Sequence, residues 1–258
     1  MIKFFRHIRK SLLMENKKSK PALPAGRYLK YAIGEIILVV IGILIALGIN
    51  NWNEKRTTSN QSNIYLKNLN KELNKNIEVL KWESKKFESI AEIAHHYHSK
   101  LMDKSSKIED TIISNFVLKI NPIPSLNLSR TVLRDYLNSG FLKDIQNDTL
   151  KNKILFLESR YNFYISEIEN VNSKYTSDIE PYLLQYADYT EFVDSVGDYK
   201  IKKTEFGHQK DAFINNKLLS NKLIWYIGYI KSLQEVTNKR TQSYLETLSS
   251  RINTYLND

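Results

Sequence analysis

The chain has 258 residues, of which 42% are hydrophobic and 26% charged, and this composition excludes a mainly disordered protein. It has no cysteine, which excludes disulfides, thiol catalysis and thiolate metal sites. The formal net charge is +10, but residues 1–52 alone carry nine basic and two acidic side chains; this concentration beside an apolar segment speaks against a nucleic-acid-binding face and predicts no nucleic-acid partner.

The first predicted element is a basic cytoplasmic tail over residues 1–30. Within it Ile2, Phe5, Ile8 and Leu12 recur at helical spacing, with lysine and arginine between them. One interpretation is an amphipathic helix that lies on an anionic membrane surface. The other is a basic tail that only orients the insertion of the next segment. Both interpretations remain open.

A transmembrane helix is predicted over residues 31–52. From Ala32 to Ile49 the sequence has eighteen residues with one charge, and a helix of that length spans roughly 27 Å, close to the hydrocarbon core of a bilayer. A cleaved signal peptide is the alternative, but the apolar run and the residues before it are both longer than in signal peptides. Because the basic residues before the span outnumber Lys55 and Arg56 after it, we predict a cytoplasmic N-terminus and an extracytoplasmic C-terminal domain.

Three residues of the span are candidates for contact with another membrane helix. Glu35 is its one ionisable side chain, and it either takes part in a relay or partner contact or reaches the headgroup zone one turn away. Gly42 and Ala46 are four residues apart and form a small-xxx-small pair that lets a second helix approach closely. The predicted partners are therefore the membrane itself and, through this face, a second copy or another membrane protein.

The residues around the span resemble a known family. The run YLKYAIGEIILVVIGILIALGINNWNEKR, with the lead MIKFFRHIRKSLL, is similar to the N-terminal signature of a family of single-pass membrane proteins of Gram-negative Bacteroidota, the domain-of-unknown-function family 6090. The resemblance implies an inner-membrane anchor and a periplasmic helical domain. It implies no activity, cofactor or catalytic residue.

A very long helix is predicted after the span, because the chain has no glycine or proline between Gly48 and Pro122. Asn76 and Glu83 fall among its d-type positions, which favours packing within an intramolecular bundle over a self-sufficient coiled-coil dimer. No breaker separates the span from this helix. Its apolar positions recur every seven residues at Leu66, Leu73, Leu80, Phe87, Ala94 and Leu101.

The sharpest polar cluster lies on the same helix and comprises Glu92, His95, His96 and His98. Spacings of three and four residues bring these side chains to one face, where a zinc ion could be held. A complete site would need a further ligand and supporting hydrogen bonds from elsewhere. Since histidine-rich helix faces exposed to water are common, we predict no metal and no cofactor.

Apolar periodicity predicts further helices, each bounded by a turn or cap signal. In chain order these are a short helix near 110–119, one from Ser129 to Gly140, one capped by Asp148 that Pro181 kinks or ends, and a long C-terminal one from Phe213. Residues 187–207 are predicted as a loop or short helix. The predicted fold class is all-α: a single N-terminal transmembrane helix followed, over residues 53–258, by an extracytoplasmic antiparallel bundle of long helices.

Familiar catalytic and phosphate-binding motifs are absent from the sequence, so we predict that the protein is not an enzyme. The predicted function is that of a membrane-anchored periplasmic helical module that binds a protein or cell-envelope partner. One alternative is an extracytoplasmic sensor or signalling accessory that acts through a membrane partner. The other is a metal-dependent hydrolase that uses the histidine cluster.

Aromatic residues are abundant near the C-terminus, with Trp225, Tyr226 and Tyr229 on the last predicted helix. Aromatic side chains with a polar tip suit protein interfaces and stacking on sugars. They also suit the core of a helical bundle whose hydroxyls reach the surface. The sequence leaves both interpretations open.

Overall fold

The computed structural model describes residues 24–103, 108–124 and 128–257. The chain divides into two units, Met1–Thr57 and Thr58–Asp258. The positions on which the amphipathic tail was predicted lie outside the described residues. They are Ile2, Phe5, Ile8 and Leu12.

The first helix, α1, runs from Pro24 to Leu101 and has 78 residues. Its length follows from the sequence, because neither glycine nor proline occurs between Gly48 and its end. The predicted heptad positions of its C-terminal half are all buried, and burying each leucine stabilises the fold by about 1.5–3 kcal/mol. These positions are Leu66, Leu73, Leu80, Phe87, Ala94 and Leu101.

The prediction of an all-α fold is confirmed, with one long apolar helix at the N-terminal end. The further α-helices of the described residues are α2 (Asp110–Lys119), α3 (Thr131–Ser139), α4 (Asp148–Lys174), α5 (Glu180–Tyr186), α6 (Lys210–Phe213), α7 (Lys217–Ser232) and α8 (Lys239–Asn257). Short 3-10 turns cover Phe141–Asp144 and Tyr189–Glu191.

Gly140 ends α3 as predicted, since it adopts a left-handed conformation with φ of 76°. Pro181 does not end the preceding helix. A π-helical segment, Tyr175–Ile179, joins α4 to α5, and Pro181 lies in the first turn of α5. Proline lacks an amide hydrogen and crowds the carbonyl of the preceding turn, and the wider π turn makes room for it.

A second π-helical segment, Leu233–Asn238, joins α7 to α8. Along α7 the buried positions advance by three and four residues, as a regular helix requires. Within the π segment adjacent residues are buried together, since a π turn holds more residues than an α turn. The adjacent buried pairs are Leu233 with Gln234 and Thr237 with Asn238.

The segment predicted as a loop or short helix contains a small hairpin instead. Strands β1 (Ser195–Val196) and β2 (Tyr199–Lys200) pair in antiparallel register around Gly197, whose φ is 57°. The positive φ favours glycine at this turn. Only two residues contribute to each strand, so no period-two pattern was long enough to be read in the sequence.

Candidate functional site

The apolar part of α1 has the properties of a membrane span. Among the described residues, one helix near the N-terminus is long and apolar enough to cross a membrane, and none of its most apolar 18-residue window is buried. The predicted contact residues Glu35, Gly42 and Ala46 are all exposed. No atom lies within 4 Å of a Cβ placed on Gly42, so the described residues leave this face open.

The histidine cluster does not form a metal site in the described part of the chain. There, no group of three or more histidine, aspartate or glutamate side chains is placed to hold a metal ion. Glu92, His95 and His96 are exposed, whereas His98 turns inward and its Nε2 lies 2.9 Å from the Ser220 hydroxyl of α7. Desolvation, and then the charge of His95, lowers the pKa of His98 below its usual value. The structure therefore assigns His98 a contact between two helices.

A buried carboxylate occupies the centre of the helical domain. Glu83 of α1 is 0% exposed, and the hydroxyl of Tyr164 on α4 donates a hydrogen bond to it. Asn238 Nδ2 donates to that hydroxyl and to the Leu80 carbonyl, each at 3.0 Å. Gln234 Nε2 donates to the Ser84 carbonyl at 3.1 Å. We call the side chains of Glu83, Tyr164 and Asn238 the Glu83 network.

Electrostatics keep the Tyr164 hydroxyl protonated. Burial, followed by the neighbouring Glu83 carboxylate, raises the pKa of Tyr164 far above its usual value. In the second π segment and the first turn of α8, three buried side-chain oxygens have no hydrogen-bond partner among the described residues: Gln234 Oε1, Asn238 Oδ1 and Thr241 Oγ1. The network thus couples α1, α4 and the second π segment through polar groups that are costly to leave unpaired.

A second polar contact fixes the start of α3 against α1. The Glu72 carboxylate accepts hydrogen bonds from the Ser129 hydroxyl at 2.8 Å and from the backbone amides of Val132 at 2.9 Å and Leu133 at 3.2 Å. Asn76 bonds both the amide and the carbonyl of Ser129, and its Nδ2 also donates to the Tyr161 hydroxyl. A carboxylate at a helix N-terminus satisfies amides that have no partner within the helix.

Sequence reasoning noticed Glu83 and Asn76 only as polar interruptions of an apolar heptad. Tyr164 and Asn238, which complete the contacts of Glu83, were missed as functional residues. The sequence did carry one signal: a polar side chain at a position that the heptad places on the buried face of the helix. Such a group needs a hydrogen-bond partner on another helix. The sequence alone does not say which tyrosine or asparagine that partner is.

The segment between α5 and α6 is organised by Asp188. Its carboxylate accepts from the amide of Thr190 at 3.0 Å, the hydroxyl of Thr204 at 2.5 Å and the amide of Gly207 at 3.1 Å. The backbone amide of Asp188 donates to Nδ1 of His208 at 3.1 Å. Since Nδ1 accepts, the neutral His208 ring carries its proton on Nε2, which lies 2.9 Å from the Ser114 hydroxyl.

We expect this segment to loosen in acid. The hydrogen bond from Thr204, followed by that from Thr190, lowers the pKa of Asp188 from 3.8 to about 2. A lowered pKa stabilises the fold above the unfolded value of about 4, and this contribution is lost as the pH falls toward about 2. Amide exchange at Thr190 and Gly207, expressed relative to the intrinsic exchange rate at each pH, should therefore accelerate over that range. In Asp188→Asn it should already be fast at neutral pH; exchange in that variant as slow as in the wild type would contradict this assignment.

Two surface grooves remain as candidate ligand sites. The larger, of about 540 Å³, lies along α1 and α8. Polar side chains that line it are bonded to each other, as Lys81 Nζ is to Glu78 Oε1 at 2.9 Å. The smaller, of about 310 Å³, lies between the first π segment and α7. It exposes Trp225, which is 68% accessible and whose ring centroid lies 5.9 Å from that of Tyr229. Tyr226, in contrast, is buried and its hydroxyl donates to the Asn121 carbonyl.

Comparison with known proteins finds one family, described as "Family of unknown function (DUF6090)", which matches residues 35–164. This range is just over half of the chain and includes most of the apolar segment, Glu72, Asn76, Glu83 and Tyr164. No curated protein matches the chain, and no solved structure matches it.

Proposed function

The chain belongs to the DUF6090 family of unknown function, and from that premise we propose that it is a membrane-anchored helical module that binds a protein or cell-envelope partner and is not an enzyme. The observation that carries the proposal is α1. This one helix contains both the exposed apolar window and the buried heptad face of the unit Thr58–Asp258. A chain built in this way ties a packed helical domain to a membrane.

The proposed arrangement of that domain is an antiparallel bundle. Three polar contacts between α1 and the last helices support it, because the partner's residue number falls as the number along α1 rises. Asn70 bonds Asn253 at 2.7 Å, Ser84 bonds Gln234 at 3.1 Å, and His98 bonds Ser220 at 2.9 Å. The proposed location is the inner membrane, with residues 1–30 in the cytoplasm, 31–52 across the bilayer and 53–258 in the periplasm.

The proposed topology predicts the fate of a reporter fused to each end. Alkaline phosphatase, which is active only outside the cytoplasm, should be active when fused after Asp258, because the nine basic residues of residues 1–52 hold the N-terminus inside. The control fusion, placed after Lys20 with the span removed, should be inactive. An expressed but inactive fusion after Asp258 would overturn the orientation. A mature N-terminus at Ile49 would show that the apolar segment is a cleaved signal peptide.

Binding itself is tested by crosslinking and affinity capture in cells. A partner inside the bilayer would use the open Gly42 and Ala46 face, so Gly42→Leu should reduce its recovery by steric block, and Gly48→Leu, on a different face of the helix, is the matched control. A periplasmic partner should be recovered equally when the whole span is replaced by an unrelated one. Recovery of no specific partner by any form, together with a hydrolytic activity of the purified chain, would refute a binding module.

The Glu83 network favours a second candidate, an extracytoplasmic sensor that acts through a membrane partner. The buried carboxylate lies on the same helix as the apolar window, and it bonds side chains from other parts of the chain. Repacking of such a contact is one way in which a helix shift starts. Glu83→Gln should then change the yield of crosslinks through the span, whereas the exposed control Glu78→Gln should leave it unchanged.

A further inference from the structure

The groove between the first π segment and α7 has the features of a small-molecule site. Its volume of about 310 Å³ is at the lower end of the range for such sites. Ile179 and Tyr226, both buried, belong to its lining, and Trp225 and Tyr229 form an aromatic pair in it. The two rings are tilted by 32° with centroids 5.9 Å apart, so the pair presents aromatic surface beside the opening.

The face of Trp225 differs from those of the other two tryptophans. The Arg56 guanidinium lies over Trp52 at 5.7 Å, and the Lys86 ammonium lies over Trp82 at 5.1 Å. In the part of the chain that the structure describes, no lysine or arginine lies over Trp225. Gly228, one turn further along α7, has no atom within 4 Å of an added Cβ, so no side chain crowds that side. The ring is therefore available to stack on a ligand.

The rest of the lining supplies hydrogen-bonding and charged groups. Lys174 and Asp178 face the groove from the π segment side, and Asn221 and Lys222 face it from α7. Lys222 Nζ lies 3.5 Å from Asp178 Oδ1, which is a long ion pair, and both side chains keep some exposure. The lining has two ammonium groups, on Lys174 and Lys222, and one carboxylate, on Asp178, so it has an excess of one positive charge. A ligand that matches this lining has a flat apolar face, several hydroxyls and a negative group.

We propose that this groove binds a saccharide that carries a carboxylate. The ring face of the sugar would stack on Trp225, its hydroxyls would bond Asn221 and Asp178, and its carboxylate would lie near Lys174 and Lys222. An apolar helix of a protein partner fits less well, because half of the lining residues are charged or amide side chains. The inference rests on the proposed function, since it names a cell-envelope ligand for the binding module.

The test is a titration of the full-length chain in detergent with two probes of equal length, a tetramer of galacturonic acid and a neutral tetramer of glucose. Calorimetry gives the affinity, and tryptophan fluorescence reports on the site. The acidic tetramer should bind at least tenfold more tightly than the neutral one. Trp225→Ala should weaken its binding at least tenfold, and Lys222→Gln should weaken it less. The matched control Trp82→Ala should bind like the wild type.

Three outcomes would overturn the inference. They are no binding of either tetramer, equal affinity of the wild-type chain for the two tetramers, or equal affinity of the wild-type and Trp225→Ala chains for the acidic tetramer. Thermal unfolding followed by circular dichroism checks the fold of each variant, and Trp225→Leu, which also has no aromatic ring, replaces Trp225→Ala if the latter unfolds. Crosslinking tests the proposed function separately. A partner captured equally by wild-type and Trp225→Ala chains, without saccharide binding, would overturn this inference and leave the proposed function standing.

Discussion

Replacing Tyr164 with phenylalanine should lower the free energy of unfolding of residues 58–258 by about 3 kcal/mol. The substitution keeps the ring but removes the hydroxyl that donates to the fully buried Glu83 carboxylate. A buried carboxyl group that loses a hydrogen-bond donor is destabilised far more than an exposed one, because no water replaces the bond. Asn238 also loses one of the two acceptors of its amide. Urea unfolding followed by circular dichroism measures the change.

A double substitution separates this explanation from a loss of packing. In the Tyr164→Phe chain, Glu83→Leu removes the carboxylate as well, so most of the lost stability should return. The matched control is Tyr136→Phe, since the Tyr136 hydroxyl is bonded at 2.8 Å to the neutral hydroxyl of Ser62 and should be worth about 1 kcal/mol. If Tyr164→Phe lowers the free energy of unfolding no more than Tyr136→Phe does, the hydrogen bond to the buried Glu83 side chain has no special contribution to stability.

The second large effect is expected for Glu72→Ala, which should also cost about 3 kcal/mol of unfolding free energy. Glu72 is 5% exposed and accepts three hydrogen bonds at the start of α3, two of them from backbone amides. Alanine would leave those amides buried without an acceptor. We expect α3 to exchange its amide hydrogens faster than α4 in this variant.

Glu78→Ala is the control for Glu72→Ala, because the two residues lie on the same helix. Glu78 pairs with Lys81 at 2.9 Å, but 73% of its side chain is exposed to water. An exposed pair contributes little to the free energy of unfolding, because water screens the two charges. Similar losses in the two variants would mean that Glu72 acts by helix propensity and not as a cap. Urea unfolding under the same conditions decides between them.

Local patterns carried much of the fold prediction. The heptad from Leu66 to Leu101 indicated both the long helix and its buried face, because helical phase depends on sequence spacing alone. Asn76 and Glu83 were interpreted as unfavourable for a coiled-coil dimer, and in the structure both side chains bond groups of the same chain. The sequence could not name Tyr164 as the partner of Glu83, since the two are 81 residues apart and only the packing of α1 on α4 brings them together.

The candidate site was visible in part. Trp225 and Tyr229 stood out as aromatic residues, yet core and surface were equally compatible with their spacing. The groove also depends on Lys174 and Asp178, which reach it through the π segment next to Pro181. From the sequence, Pro181 predicted a kink or an end of the helix at this place, because proline does not fit inside a helix of regular α geometry. A π turn depends on tertiary packing that the local sequence does not reveal.

The extra residue in the second π segment, Leu233–Asn238, makes it the natural place for a length difference among related chains. Each residue of an α-helix turns the chain by about 100°, so a deletion within α7 or α8 would rotate the following apolar face away from the core. A deletion within the π segment would instead convert the wide turn to an α turn and leave both flanking faces in phase. An alignment of related chains that reach the C-terminal helices is therefore expected to place one-residue gaps between Leu233 and Asn238.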